Sequence, residues 1–481
     1  MSDSHHSVRL TLKSTNVRHM KLPPKRLITA IISLCVIIGG TYVAIQFGKG
    51  YRPTKDGMIK GTGLLAANSF PTGAEVYIND KLTTATDDTL NLTPGSYQVA
   101  IKKDGYLPWQ KALLIQEELV SQTNATLFKA APGLSPLTLA GALNITPSPD
   151  GQKIAFAVTV ASSAAKNGLY ILDMTSSTPL SQIKEPRQIA RNTEAIDFSQ
   201  NILVWSPDST QLLAYAPEAN DQFSAYLLPI ANLTEPANLR DISVQLPVIL
   251  AGWEEEIAIR ETKQFAKLPL ELQVIATQSA TNVYFSPNDE RVMYTSTGSA
   301  TIRPNLIQTP PATNTQPEER QLSPGTIYVY DLIEDKNFLI GSTPKDELKP
   351  QKQLIILDSN QQLITIADRN PITPTPTAIS DFMSLQDPNS FPQTATNFNT
   401  HYSSIYTSTF QWYPNSTHLI HHQDAGIEIL EYDGQNLITV YSGPINDDFV
   451  YPWPDGKSLI ILTNFNPSSA LPENLYAIAI R

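Results

Sequence analysis

One segment recurs, and it constrains this chain more than any other feature. Ile145-Thr-Pro-Ser-Pro-Asp-Gly-Gln-Lys-Ile-Ala-Phe-Ala-Val158 joins an apolar step, a Ser-Pro-Asp-Gly turn and an alternating apolar run. The same template returns at Leu203–Ala216, Val283–Ser296, Phe410–Gln423 and Val450–Thr463, with a weaker sixth copy at 354–367 that lacks the proline. Proline presets the first turn position, Asp or Asn suits the next, and Gly or an Asn-like residue permits positive φ, so each copy is a hairpin. Another strand trails most copies, as in Gly168-Leu-Tyr-Ile-Leu-Asp173 and Asn474-Leu-Tyr-Ala-Ile-Ala-Ile480. Several strands per irregular period is the signature of a β-propeller blade. The prolines stand 58, 80, 127 and 40 residues apart, and placing the weak copy in the long gap predicts a propeller of about six blades over 145–481.

This pattern resembles the TolB-like propeller repeats, in which Ser-Pro-Asp-Gly and a Lys-x-Ile-Ala-Phe-type strand recur once per blade. Only the first and last copies keep Asp-Gly intact. Closing such a ring requires a partner for the last blade, which 129–144 or the final strand 474–481 can supply. Residues 303–324 and 369–400, rich in Pro, Thr, Asn and Gln, read as long flexible loops. Between 253 and 279 the helix-forming content, with Pro269 able to start a second helix, predicts a helical excursion on the rim.

Ahead of the repeats lies a different β pattern, at 61–128. Ala74-Glu-Val-Tyr-Ile alternates and ends at Asn79-Asp80, a tight-turn pair; Pro94-Gly95 then leads into Ser96-Tyr-Gln-Val-Ala-Ile-Lys102. Trp109 to Ile115 starts a further strand, which gives a compact antiparallel sandwich. Pro71-Thr-Gly-Ala-Glu-Val-Tyr-Ile-Asn-Asp80 and Leu92-Thr-Pro-Gly-Ser-Tyr-Gln-Val-Ala-Ile-Lys-Lys-Asp-Gly-Tyr106 resemble the two ordered motifs of the PEGA domain family, with Thr72 where the name-giving Glu would stand. That resemblance implies a small, noncatalytic extracytoplasmic β-sandwich of envelope and surface proteins, able to contact cell-surface polymer. The overall fold class is mainly β: an N-terminal transmembrane helix, a PEGA-like sandwich, then the propeller.

The N-terminal part fixes topology. Residues 27–47 carry no charge, and about 21 residues at ~1.5 Å each span a ~30 Å hydrocarbon core. A cleaved signal peptide would have a shorter apolar region and a small-x-small site, so the span reads as an uncleaved membrane anchor. Six basic residues against Asp3 make 1–26 a +5 cytoplasmic tail in a chain of net charge -11, which leaves -16 on the rest. An acidic body excludes nucleic acid as a partner. Cys35, the single cysteine, lies in the span, so the external part has neither disulfides nor a thiolate nucleophile.

The sequence carries no recognised catalytic or metal-binding motif. On a strand, His418 and His422 share a face that His421 does not, so three zinc ligands do not converge there. No nucleophile elbow, His-Glu-x-x-His, Walker loop or dinucleotide fingerprint occurs. Asp87-Asp88, Glu254-Glu255-Glu256 and Asp447-Asp448 double their carboxylates rather than spacing them as calcium loops do. The expectation is therefore a noncatalytic, single-pass bacterial surface protein with no cofactor, metal or catalytic residues, binding protein or surface polysaccharide. The alternatives are a glycan lyase or hydrolase with a site in the propeller funnel, and a sensor coupled to a membrane partner.

Overall fold

The computed structural model describes residues 24–48, 51–53, 59–174, 185–217, 223–308, 314–342, 409–423, 426–446, 449–465 and 472–481. Helix Pro24–Gly48 is long and apolar, with a candidate membrane span at Ile31–Gly48 whose side chains are nearly all exposed among the described residues. The short pair Arg52–Pro53 and Ile59–Lys60 links it to the sandwich.

The sandwich has one sheet in the order Lys81–Ala85, Glu75–Ile78, Gly95–Lys102, Trp109–Ile115. Facing it are Val120–Gln122, Gly63–Ala67 and Asp88–Leu92, with the parallel pair Ser69–Phe70 and Ala125–Thr126 beside them. Period-2 alternation sends Val76, Val99, Ile101 and Trp109 into a shared core with Leu65 and Ala67. Asn79 and Asp80 both have positive φ (48° and 64°), as a two-residue hairpin with strand-matched twist requires.

Five radial sheets follow. The first comprises Leu143–Pro147, Lys153–Val158, Gly168–Asp173 and Arg187–Arg191; the second comprises Ile202–Trp205, Gln211–Pro217 and Phe223–Pro229. The third is Ala280–Phe285, Arg291–Ser296, Thr326–Asp331 and Lys336–Ser342; the fourth is Phe410–Trp412, His418–Gln423, Gly426–Glu431 and Ile438–Ser442. The fifth, Val450–Pro452, Ser458–Thr463 and Asn474–Ala479, takes its outer strand from Gly133–Pro136, so both segments expected to close the ring do so against each other. Second strands such as Lys153–Val158 and Arg291–Ser296 are buried at nearly every position, because a neighbouring sheet covers each face. The alternation expected for these runs is therefore not one of buried and exposed faces, since both faces are covered.

The ring closes with one joint of a different kind. Sheets one and two share a core through Leu169, Trp205 and Leu212, and sheet five joins sheet one through Trp453 and Phe156. Sheets four and five meet through Ile429 and Ile461, and sheets three and four through Val329 and Leu419. Between sheets two and three stand helices Leu246–Phe265 and Leu270–Gln278. The first packs Leu246, Leu250 and Ile257 on Val204 and Tyr215; the second packs Leu272 and Ile275 on Val283 and Tyr294. These helices are the predicted excursion, with Pro269 capping the second. Their position corrects the expectation, since they stand within the ring rather than on its rim. The reason is that their apolar residues have the exposed faces of two sheets to cover. The weak repeat copy at 354–367 and the insertion 369–400 lie outside the described residues, and five blade sheets are present among the described residues.

Candidate functional site

The recurring turn has the same internal wiring in each sheet. Ser148 Oγ accepts from Lys153 N–H at 3.0 Å, and Asp150 Oδ1 accepts from Gln152 N–H at 3.0 Å. Ser206 and Asp208 repeat this with Gln211 and Thr210, as do Ser286 and Asn288 with Arg291 and Glu290. Where Tyr413 and Trp453 replace the serine, Asn415 and Asp455 still hold the turn through Thr417 N–H and Lys457 N–H. The residue after the acid or amide has positive φ every time: Gly151, Ser209, Asp289, Ser416 and Gly456. Burial alone would raise the Asp150 carboxyl, but hydrogen bonds from Ser148, Lys153 and Gln152 outweigh it and hold Asp150 below the usual carboxylate range. The motif is thus a turn-former.

The turns also brace one sheet to the next. Asp150 N–H donates to Ser209 Oγ and Asn288 N–H to Ser416 Oγ, both at 3.1 Å. Trp205 Nε1 donates to Thr146 O at 2.9 Å, and Trp412 Nε1 to Tyr284 O at 3.0 Å. Where the helices intervene, the first helix and the link after it make the bridge: Arg260 donates to Pro207 O, Gln264 to Asp289 Oδ1, and Lys267, two residues past the helix, to Asp289 Oδ2.

Between them these elements line an open pocket of about 580 Å³. The turns contribute Pro149, Pro287, Pro414 and Pro454, and the innermost strands contribute Tyr284, Trp412 and Tyr451. One side of the wall is helical, made by Ile257, Arg260, Glu261, Gln264 and Phe265, which recur at helical spacing on one face. Several polar side chains in the wall already serve the scaffold. The Trp412 indole is bound to Tyr284 O, Gln411 Nε2 to Val450 O, and Gln264 Nε2 to Asp289 Oδ1. The pocket therefore offers mainly ring and proline faces, with Asp150, Arg260 and Glu261 as its charged groups.

A second assembly joins the sandwich to the ring. Strand Trp109–Ile115 is the edge of its sheet, and ring side chains cap its outward backbone groups: Asn436 Oδ1 accepts from Gln110 N–H, Gln316 Nε2 donates to Ala112 O, and Thr315 Oγ1 accepts from Leu114 N–H. Asn314, Thr315 and Gln316 belong to the insertion expected to be a flexible loop. From 314 onward it is instead held, because its side chains satisfy this edge. Phe128 enters the core between sheets four and five, edge-on to Tyr413 and His418.

Charge is buried at this seam. Lys111 Nζ lies 2.6 Å from Glu431 Oε2 and also bonds Asp433 Oδ2, and all three side chains are less than a tenth exposed. Trp109 Nε1 and Asn436 donate to Glu431 Oε1, and Asn314 donates to Asp433 Oδ2 at 2.7 Å. Burial pushes the Glu431 carboxyl up, against the pull of Lys111. Burial opposes the charge on Lys111 too, but its two carboxylates prevail and hold the ammonium above its usual range. The sequence did carry a signal for this cluster: Lys111 and Glu431 occupy inward positions of their strands, where an ionisable residue needs a buried partner.

The histidines do not converge. His418 is buried beside Phe128 and Tyr413, and His421 stacks on Phe410 and faces Glu428 at 3.0 Å. Among the described residues no group of three His, Cys, Asp or Glu is placed to hold a metal ion. Of the acidic pairs, Asp88 is taken up by Thr84 and Thr89, Glu254 is buried on the first ring helix, and Asp447-Asp448 lies outside the described residues.

The order and pairing of the sandwich strands bear comparison with known families. Residues 62–131 match the PEGA domain. No curated protein matches the chain. Solved structures similar to it include a putative TolB from Agrobacterium tumefaciens, at 11% identity over 69% of this chain and 76% of that one, with a TM-score of 0.19. TolB from Acinetobacter baumannii is 10% identical over 80% of this chain and 59% of that one, with a TM-score of 0.19, and the AfRom2 CNH domain is 12% identical over 72% and 98%, with a TM-score of 0.23. Superposition at that level carries no argument, so the propeller rests on the strand registers and shared cores above. The PEGA domain and the ring meet through a wired, largely buried seam.

Proposed function

We propose that this is a noncatalytic surface protein, anchored by 27–47 with the tail 1–26 in the cytoplasm, whose ring binds a segment of a partner protein in its open pocket. On this reading the PEGA domain, 61–128, sets the ring, 145–481, at a fixed place relative to the anchor. The observation that carries the reading is the lining of the pocket. Glycan recognition needs many free donors and acceptors, whereas the Trp412, Gln411 and Gln264 nitrogens are already committed to protein acceptors. Proline and aromatic faces around a few charged groups suit an apolar or proline-containing polypeptide segment.

The test is a photo-reactive amino acid in place of Ile257, in the full chain expressed in its own membrane. Irradiation is expected to give an adduct whose digestion yields a peptide foreign to the chain. A saccharide adduct, or cleavage of a supplied glycan, overturns the reading. Protease treatment of intact cells tests the topology, and a ring that stays protected refutes the external placement.

A further inference from the structure

We propose that Lys111 and Asp433 condense into an intramolecular amide, a covalent cross-link between the PEGA domain and the fourth blade, with Glu431 as the proton carrier. The proposal is independent of what the pocket binds.

It rests on the juxtaposition of an amine, a carboxyl group and a second carboxyl group in a closed seam. Lys111 Nζ touches both acids, Asp433 is fully buried, and Lys111 and Glu431 are less than a tenth exposed. Each group has a positioning partner: Asn314 and the Gln435 N–H hold the two oxygens of Asp433, while Trp109 and Asn436 hold Glu431 Oε1. With all three ionised the cluster carries a net negative charge out of water, which is costly. Condensation replaces the lysine–aspartate pair with a neutral amide and leaves a carboxyl group whose protonated form burial favours.

The step balances without any co-reactant. As an ion pair, Lys111 is an ammonium and Asp433 a carboxylate. Glu431 Oε2, 2.6 Å from Nζ, takes one ammonium proton and frees the nitrogen lone pair. Nζ attacks Cγ of Asp433 and forms the C–N bond, and the tetrahedral centre then collapses as one C–O bond breaks. The departing oxygen receives the proton held on Glu431 and a second one from nitrogen, and leaves as water. Glu431 ends as it began. Holding amine and carboxyl in contact supplies the large effective concentration that such a condensation needs. The link would also serve a chain whose only cysteine, Cys35, is in the anchor helix and whose external part has no disulfides.

Intact-mass measurement of the full chain, purified from membranes in detergent, tests this directly. The wild-type chain is expected to be lighter than its sequence by one water, and digestion is expected to yield a branched peptide joining the segments around Lys111 and Asp433. Lys111→Arg, which keeps the charge but cannot condense, is expected to show its full mass. Asp433→Asn is expected to lose ammonia instead and to give the same amide as the wild type. Glu431→Gln is expected to fold and stay uncondensed. A folded wild-type chain at its full sequence mass overturns the proposal, and so does a branched peptide that persists in Lys111→Arg.

Discussion

Leu134 lies directly opposite Ile478, so a strand that precedes the first blade completes the last one. The two partners are not equivalent. Ile478 is fully buried between sheets four and five, whereas Leu134 is two-fifths exposed. Ile478→Ala is expected to cost about 2–5 kcal/mol in urea unfolding, and Leu134→Ala less than about half of that. Equal losses would mean that the closing strand is itself part of the core.

His418 links stability to acid. Burial, with the positive charges of Lys111 and Arg481 nearby, lowers its pKa from 6.5 to about 3. The unfolded chain therefore binds a proton between these values that the folded chain does not, and the contribution of this group is lost as pH falls from 6.5 towards 3. The expected penalty is a few kcal/mol at the acid end. Melting curves across that range are expected to be flatter for His418→Gln than for the wild type; parallel curves would remove His418 as the cause.

Asp331, fully buried, pairs with Arg291 Nε at 2.8 Å, and the guanidinium of Arg291 also lies over the Tyr432 ring. Burial raises the Asp331 carboxyl, and Arg291 opposes this without cancelling it. A raised folded pKa means that stability falls as pH rises through it. Arg291→Ala is expected to cost about 3–5 kcal/mol at neutral pH by stranding the carboxylate. Part of that loss should return on mild acidification, and a deficit independent of pH would assign the effect to packing alone.

Phe265 is both core and pocket wall, edge-on to Phe285 at 5.9 Å. Phe265→Ala is expected to cost about 3–5 kcal/mol by chemical denaturation. Ile257→Ala removes less buried surface, and a loss as large as that of Phe265→Ala would contradict the packing described.

Gly168 has φ +150°, and a Cβ there would stand 2.1 Å from Ala190 O and 2.8 Å from Arg191 Cα. Both are backbone atoms of the neighbouring strand, so no side chain can give way. Gly168→Ala is expected to lower the melting temperature by an amount corresponding to about 1–3 kcal/mol. An unchanged melting temperature would show that the two strands can part there without cost.

Legibility in the sequence followed distance along the chain. The turn unit is local, and Ser148, Asp150 and Gly151 sit within four residues, so its geometry could be derived from turn chemistry alone. The PEGA strands, the apolar N-terminal helix and the helix start at Pro269 were legible for the same reason. The place of Leu246–Phe265 was not, because alternation and helix propensity reveal which face is apolar but not which two sheets will cover it. The seam depends on residues 320 positions apart, Lys111 and Glu431. Their inward placement signalled that each had a partner and could not say which. Asn314 to Gln316 looked like loop by composition, and were ordered by an unpaired strand edge that composition does not encode.

The helical wall gives the pocket one side that belongs to no ladder. Every other lining position sits on a strand or a hairpin turn, where a change of shape threatens register with a neighbour. Ile257, Arg260, Glu261 and Gln264 project from a helix whose backbone bonds are internal, so a change there leaves the strand registers intact and acts instead on the packing of Ile257 and on the braces made by Arg260 and Gln264. The shape of the pocket can therefore be altered from about two helical turns without moving a strand, but only together with the joint that those turns make between sheets two and three.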